Sequence, residues 1–338
     1  MPADAYKKAG VDIAAKNVSN RLIGDVVSKT FRPEVVGSAG FFGGMYEFKG
    51  HKNPVLVSST DSVGTKTKIA IALDRYDTVG IDIVNHCVND IFTSGASPIF
   101  FLDYIGIGKL VPDRVAEIVE GLVKACAAVD CVLIGGETAE LADVYSGKDY
   151  DLAGFVVGVV EKERIIDGSE IAVGDILLGL PSNGLHTNGY SLARKIFGDT
   201  PDALNKRYEE LGKTVGEALL EPHTCYFNQL KPVLSMVKGL AHITGGGLID
   251  NVPRILPEGL AARFDSRKWE VPPIFPLMQR LGNVDRDEMY HVFNMGIGMV
   301  FACAPENVSG LETGLPGVRV IGEVVRRTND TEPVRIDR

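Results

Sequence analysis

Asp61 ends the apolar run Pro54 to Thr60 and leads into Ser62-Val63-Gly64-Thr65-Lys66. A carboxylate at a strand end, followed by a glycine turn into a helix, aims an acid and free backbone amides into one space. Lys66 adds a positive charge beside them. Such an acid suits magnesium, which keeps waters and nucleotide phosphate oxygens in its shell. Glu137 repeats the theme after the short apolar run Cys131 to Ile134 and the pair Gly135-Gly136. A further acid lies on the stretch Tyr76 to Ser94. There apolar residues cover most of a helix, yet Asp82, Asn85, His86, Asn89, Asp90 and Thr93 gather into one polar stripe. Buried carboxylates and amides need a cation, a ligand or other side chains as partners. In the second half, His242-Ile243-Thr244 runs into Gly245-Gly246-Gly247, whose bare N–H groups can wrap an anion. The polar run Ser182 to Gly189, with His186 and Asn188 inside it, can bind phosphate or sugar hydroxyls.

Each feature has a plain structural counterpart. Asp61 can be a helix N-cap, and the stripe an internally hydrogen-bonded or subunit seam. His242 can be a satisfied core histidine, the glycine triplet a turn, and residues 182–189 a helix cap. Acids beside glycine turns at separate places favour a metal–phosphate site over unrelated turns. The sequence has no Gly-x-x-x-x-Gly-Lys loop, Gly-x-Gly-x-x-Gly turn, Gly-x-Ser-x-Gly elbow or His-Glu-x-x-His helix. Nucleotide chemistry here therefore needs a different scaffold. A formal charge of −9 argues against a nucleic-acid binder, which needs a basic face. The longest apolar run, Met295 to Pro305, is too short to cross a bilayer, and the N-terminus lacks signal-peptide features. The five scattered cysteines read as buried thiols in a reducing compartment, so a cytoplasmic protein is expected.

The elements that must position these residues can be traced along the chain. At 338 residues, two domains are expected, of roughly 100–200 residues each. Val18, Leu22 and Val26 mark a helix from Asp12 to Ser28, and Gly37 to Gly44 reads as a glycine-rich loop. Strands are expected at Pro54 to Thr60, Pro98 to Ile107, Cys131 to Ile134 and Leu152 to Val160. Helices are expected from Thr65, over Tyr76 to Ser94, and from Pro112 to Val129. The charged stretch Glu161 to Arg164 with Asp167-Gly168 marks a junction, giving domains 1–168 and 169–338. The second half is expected to hold strands at Ile176 to Leu180 and near Ala241 and Gly298. Helices are expected at Gly189 to Phe197 and Tyr226 to Met236. Strands and helices alternate without a strict strand–helix–strand rhythm, which predicts an α+β fold of two mixed domains.

Taken together, these motifs resemble the phosphoribosylformylglycinamidine cyclo-ligase (aminoimidazole ribonucleotide synthetase) family over nearly the whole chain. The first half carries Ala9-Gly10-Val11-Asp12-Ile13, Asp61-x-Val63-Gly64-Thr65-Lys66, Val88-Asn89-Asp90-Ile91, Phe101-Leu102-Asp103-Tyr104, Gly135-Gly136-Glu137-Thr138-Ala139-Glu140 and Tyr150-Asp151-Leu152-Ala153-Gly154-Phe155. The second half carries Gly184-Leu185-His186-x-Asn188-Gly189-Tyr190-Ser191-Leu192, Ala241-His242-Ile243-Thr244-Gly245-Gly246-Gly247 and Phe293-Asn294-Met295-Gly296-Ile297-Gly298-Met299. Asp90 followed after four residues by Gly95-Ala96-Ser97-Pro98 is similar to a signature of the wider ATP-using superfamily. Three departures stand out: Ser62 in place of glycine, Asn85-His86 in place of alanine and methionine, and no basic residue in Pro222-His223-Thr224-Cys225-Tyr226.

The resemblance implies an ATP-driven ring closure in purine biosynthesis, turning formylglycinamidine ribonucleotide into aminoimidazole ribonucleotide with release of ADP and phosphate. It implies that Asp61, Asp90 and Glu137 hold Mg2+ on the ATP phosphates, with Asn89 in support. Lys66 would offset developing charge and His242 would act at the reacting phosphate or amide. Gly40, Gly43, Gly44, Gly64, Thr65, Gly136, Thr138, Gly245 and Gly246 would line the nucleotide, with Gly37 to Gly44 as a flap. Ser182, His186 and Asn188 would meet the nucleotide substrate. It further implies a homodimer in which the N-terminal halves, each with a mainly antiparallel sheet, pair into a barrel. The C-terminal half would be a sheet flanked by helices that completes the cleft. The competing resemblances lie in the same superfamily: formylglycinamidine synthetase-like, selenophosphate synthetase-like or thiamine monophosphate kinase-like enzymes.

Overall fold

The structure, a computed structural model, describes residues 13–37, 42–328 and 332–337. Helix α1 (Ile13–Val27) is followed by the ribbon β1 (Val35–Val36) and β2 (Met45–Tyr46). Then come β3 (Pro54–Ser62), α2 (Lys66–Leu73), α3 (Val79–Phe92), β4 (Ser97–Ile107), α4 (Pro112–Ala128), β5 (Val132–Glu140) and β6 (Tyr150–Glu161). The four long strands form one sheet in the order β3-β6-β4-β5. Its first two pairings are antiparallel and β4 with β5 is parallel, so this half has the mainly antiparallel sheet that was expected.

Helix α3 packs on that sheet, with α4 and α1 behind it. Twelve of its 14 residues are buried, polar ones included. It lies this deep because glycines clear its path. A Cβ on Gly80 would stand 2.1 Å from the Ile118 carbonyl oxygen of α4, and one on Gly158 of β6 would stand 2.5 Å from Ile91 Cδ1. The other face of the sheet is open. Leu56 is 62% exposed, Phe155 40% and Tyr104 36%, and the strand register places all three on that face.

The second half holds a six-stranded sheet in the order β12-β9-β11-β7-β10-β8. Its strands are β7 (Ile176–Pro181), β8 (Gly239–His242), β9 (Leu260–Asp265), β10 (Ile297–Cys303), β11 (Arg319–Arg326) and β12 (Val334–Asp337). All pairings are antiparallel except β9 with β12. Every residue of β10 is buried, and one apolar core runs through both halves. Helix α5 (Tyr190–Phe197) follows the 182–189 loop. The helix expected over Tyr226 to Met236 divides instead into Phe227–Leu230 and a 3-10 segment Lys231–Met236, because Pro232 removes a helical donor. No helix among the described residues is long and apolar enough to cross a membrane.

Candidate active site

The polar stripe of α3 splits into two functions. Asp82, Asn85 and Asn89 face the segment Pro222 to Tyr226 and satisfy its backbone. The Asp82 carboxylate accepts from the His223 N–H at 2.7 Å, and Asn85 Nδ2 donates to the His223 carbonyl at 2.6 Å. Asn89 Oδ1 accepts from the Tyr226 N–H at 2.9 Å, while its Nδ2 donates to the Thr224 carbonyl at 2.8 Å. Of the plain alternatives, this is the internally hydrogen-bonded stripe rather than a seam between subunits, since it joins the two halves of one chain. Both ends of the Asn89 amide are engaged in it.

Lys66 is engaged in the same seam. Its ammonium is wholly buried, 2.8 Å from Asp82 Oδ1, and also donates to the carbonyls of His186 and Glu221. All three donors are engaged away from Asp61. Burial pushes the Asp82 carboxyl up to about 6, against the pull of Lys66, and pushes the Lys66 ammonium down.

The other edge of the stripe, His86 and Asp90, opens toward Asp61 at the end of β3. His86 Nε2 lies 3.0 Å from Asp61 Oδ2 and 3.6 Å from Asp90 Oδ2. Ser59 Oγ donates to Asp90 Oδ2 at 3.0 Å, and His242 Nδ1 donates to Asp90 Oδ1 at 2.8 Å. His242 comes from the end of edge strand β8, so the two halves of the chain meet at this carboxylate. Behind it, His242 Nε2 faces His223 Nε2 at 2.9 Å. The His223 Nδ1 lies 3.3 Å from Thr187 Oγ1, which is 2.7 Å from His86 Nδ1.

These contacts link Asp61, His86, Thr187, His223, His242 and Asp90 into one chain. Each of its five links needs one proton. Three neutral imidazoles and one hydroxyl supply four, so the chain holds one imidazolium. Burial alone would lower His86, yet the hydrogen bond to Asp61 and the charges of Asp90 and Asp61 raise it above its ordinary value. Burial lowers His242 despite Asp90, and drives His223 well down. The hydrogen bond and charge of His86, with the Ser62 amide, hold the Asp61 carboxyl below the ordinary range against burial. His242 and His86 do the same for Asp90.

Asp61, His86, Asp90 and His242 line a cleft of about 510 Å³ between the halves, together with Ser59, Thr244 and Arg254. The glycine triplet follows Thr244. Its Gly247 N–H closes a turn onto the Thr244 carbonyl, and Asn251 Nδ2 ties down the carbonyls of Gly245 and Gly247. A Cβ on Gly247 would meet the Tyr290 carbonyl at 2.1 Å, so packing alone requires a glycine there.

Other expected residues are not brought to this cleft. Asp61 and Glu137 occupy opposite edge strands, three spacings or ~14 Å apart across the sheet. Glu137 is 63% exposed, with Lys16 at 4.0 Å, and cannot share an ion with Asp61 within one chain. Gly136 and Thr138 lie with it on β5. Ser182 Oγ is buried on Asn294 Oδ1 at 2.8 Å. His186 is 1% exposed and its ring stacks on His223, which corrects its expected contact with substrate. Asn188 Nδ2 lies 3.5 Å from Thr187 Oγ1. Gly64 takes a positive φ of 64° and opens α2 through Thr65, whereas Gly43 and Gly44 precede β2. Gly40 and the motif residues 9–12 fall outside the described residues.

Sequence reasoning gave no role to His86, His223 or Thr187. One signal was available for His86, since Asp82, His86 and Asp90 recur every four residues on one helix. His223 and Thr187 had none, because only the fold brings their loops to α3.

The family described as AIR synthase related protein, N-terminal domain, matches residues 43–160, and the corresponding C-terminal domain matches 172–334. The phosphoribosylformylglycinamidine cyclo-ligase of Desulfitobacterium hafniense is 52% identical over 328 residues, covering 95% of this chain and 96% of that one. Its namesakes in Geobacillus kaustophilus and Trichlorobacter lovleyi are each 51% identical. They cover 96% and 98% of this chain, and 96% and 98% of their own. Among solved structures, thiamine-monophosphate kinase from Stenotrophomonas maltophilia superposes with a TM-score of 0.67 at 16% identity, covering 94% of this chain and 96% of that one. Hydrogenase maturation protein HypE in complex with ATP also gives 0.67 at 16% identity, covering 94% and 90%, and both share the fold. On the strength of its full-length relatives and its two matched domains, the chain belongs to the phosphoribosylformylglycinamidine cyclo-ligase family.

Proposed function

We propose that the protein closes formylglycinamidine ribonucleotide to aminoimidazole ribonucleotide, with ATP converted to ADP and phosphate. The observation that carries this reading at the site is the approach of Asp61 and Asp90 to the same His86 Nε2 in the cleft between the halves. Carboxylates from two separate elements beside a shared imidazole form a donor set that fits a divalent cation. Bound magnesium-ATP would supply the phosphoryl group and neutralise its charge.

The remaining chemistry falls to this chain. An amide oxygen leaves poorly, so its phosphorylation lets the amidine nitrogen displace phosphate and close the five-membered ring. Asp61 and Asp90 hold the cation. Ser59 and His242 fix the rotation of Asp90, which makes His242 a positioning residue rather than the acid–base group first expected. Arg254 and the Thr244 loop, which line the same cleft, offer cationic and amide contacts for phosphate. We place the domain boundary at residues 168/169 and the protein in the cytoplasm. A homodimer pairs the open sheet faces bearing Leu56, Phe155 and Tyr104, which buries apolar surface otherwise left in water.

The test follows ADP release and ring-product absorbance with ATP, with and without formylglycinamidine ribonucleotide. Substrate-dependent release with product in equal amount supports the reading, and ATP turnover indifferent to that substrate refutes it. Light scattering giving the mass of a monomer at micromolar concentration would remove the dimer.

A further inference from the structure

His86 is the group in this site that an all-oxygen magnesium shell does not need. It sits one helical turn before Asp90 on α3, is 4% exposed, and directs Nε2 at both acids, 3.0 Å from Asp61 and 3.6 Å from Asp90. Its other nitrogen lies 2.7 Å from Thr187 Oγ1, across the seam on the loop after β7. A metal-ligating imidazole is oriented in this way: one nitrogen to the ion, the other N–H to a fixed oxygen. The acids are fixed as well. Asp90 is held through Oδ2 by Ser59 and through Oδ1 by His242, while the Ser62 N–H donates to Asp61 Oδ1 at 2.6 Å. The imidazole thus stands between the two carboxylates, and all three line the open cleft.

We infer that His86 Nε2 is a third protein ligand to the cation held by Asp61 and Asp90, so that this chain selects manganese over magnesium. The inference rests on the proposed role of those two acids. Two carboxylates and an imidazole, with open positions for phosphate oxygens, suit a first-row transition cation, which accepts an imidazole nitrogen more readily than magnesium does. Magnesium instead demands oxygen ligands and gives up its waters reluctantly. On binding, the cation takes the place of the Nε2 proton, which leaves to solvent, while Nδ1–H remains on Thr187. Because Thr187 and His223 come from the second half, the same contact couples occupation of the ion site to closure of the seam.

The test uses the full chain and Mn2+, alone and with ATP, read by electron paramagnetic resonance. Electron spin-echo modulation from a histidine nitrogen is expected in the wild type, changing as 15N-histidine replaces natural-abundance histidine. His86→Met should abolish it and weaken Mn2+ by roughly 10–100-fold, while Mg2+ affinity changes little. Thr187→Val should weaken Mn2+ in the same direction by less. His86→Gln serves as a second variant if His86→Met melts early by circular dichroism. Bound Mn2+ without histidine modulation in the wild type, or modulation unchanged in both His86 variants, overturns the inference. It would show His86 to be only a counter-charge that the ion displaces. Asp61→Asn separates this from the underlying reading: if it binds both ions as the wild type does, the carboxylate site itself is wrong.

Discussion

The two edges of helix α3 carry nearly the same side chains and do different things. Along one edge Asp82, Asn85 and Asn89 are closed off by the 222–226 segment and by Lys66. Asp82 Oδ1 and the two amides answer backbone groups or a charge, while Asp82 Oδ2 is buried without a hydrogen-bond partner. Along the other edge Asp90 and His86 meet Asp61 across an open cleft, and the two carboxylates share one imidazole rather than a fixed cation. Enclosure makes the difference. Where the second half covers the helix, polarity becomes structural cement; where it stops short, the same chemistry is left available for a ligand.

The largest expected effect lies on the closed edge. Asp82→Ala would strand the buried Lys66 ammonium, at a cost of about 3–5 kcal/mol of stability. Chemical denaturation of wild type and variant measures this directly, and a loss below 1 kcal/mol, as for an exposed pair, would mean the seam is wet. A smaller effect is expected where the two edges join. His242→Ala frees one oxygen of Asp90, and loss of such an orienting partner lowers activity or ion affinity by roughly 10–100-fold, with His242→Asn recovering part. An effect equal to that of removing Asp90 itself would make His242 a direct participant.

A further expected effect lies outside the comparison and calibrates it. Asp103 sits on β4 against Gly136, where a Cβ would approach Asp103 Oδ1 at 2.2 Å. Burial, with Glu137 nearby, pushes its carboxyl up to about 7 from the ordinary 3.8. A folded value above the unfolded one means the folded state holds the proton more tightly, so this acid destabilises the fold progressively as pH rises from about 4 to 7. Asp103→Asn should therefore melt a few degrees above wild type at pH 8 and level with it at pH 4. A constant difference across that range would show that the carboxyl titrates normally.

Much of the first half was legible in sequence because its signals are local. Pro112 does open α4, and the strands around Asp61, Asp103 and Tyr150 do occur. The strand expected to stop at Ile134 continues to Glu140, because Gly135-Gly136 reads as a turn but here clears space for the Asp103 side chain. β9 and β11 escaped notice because charged residues such as Arg263 and Glu323, which face each other across the pair, interrupt their apolar pattern. The site was half legible. Asp61 and Asp90 announce themselves by glycine turns and helical spacing, but a contact such as Lys66 with Asp82 joins two helices and leaves no periodic trace. Glu137 misled for the same reason: strand-end position does not reveal which edge of the sheet a strand occupies.

The central claim is that Asp61 and Asp90 jointly hold the cation on the nucleotide. Its most direct test is substrate-dependent ADP release by Asp61→Asn and Asp90→Asn as the divalent ion is raised. Each change removes ligand charge without removing bulk. Both variants should therefore fold as wild type, need more ion for half-maximal rate, and run roughly a hundredfold slower at saturation, about 2.7 kcal/mol of lost transition-state stabilisation. Near-normal rates with unchanged ion dependence in both variants would contradict the account.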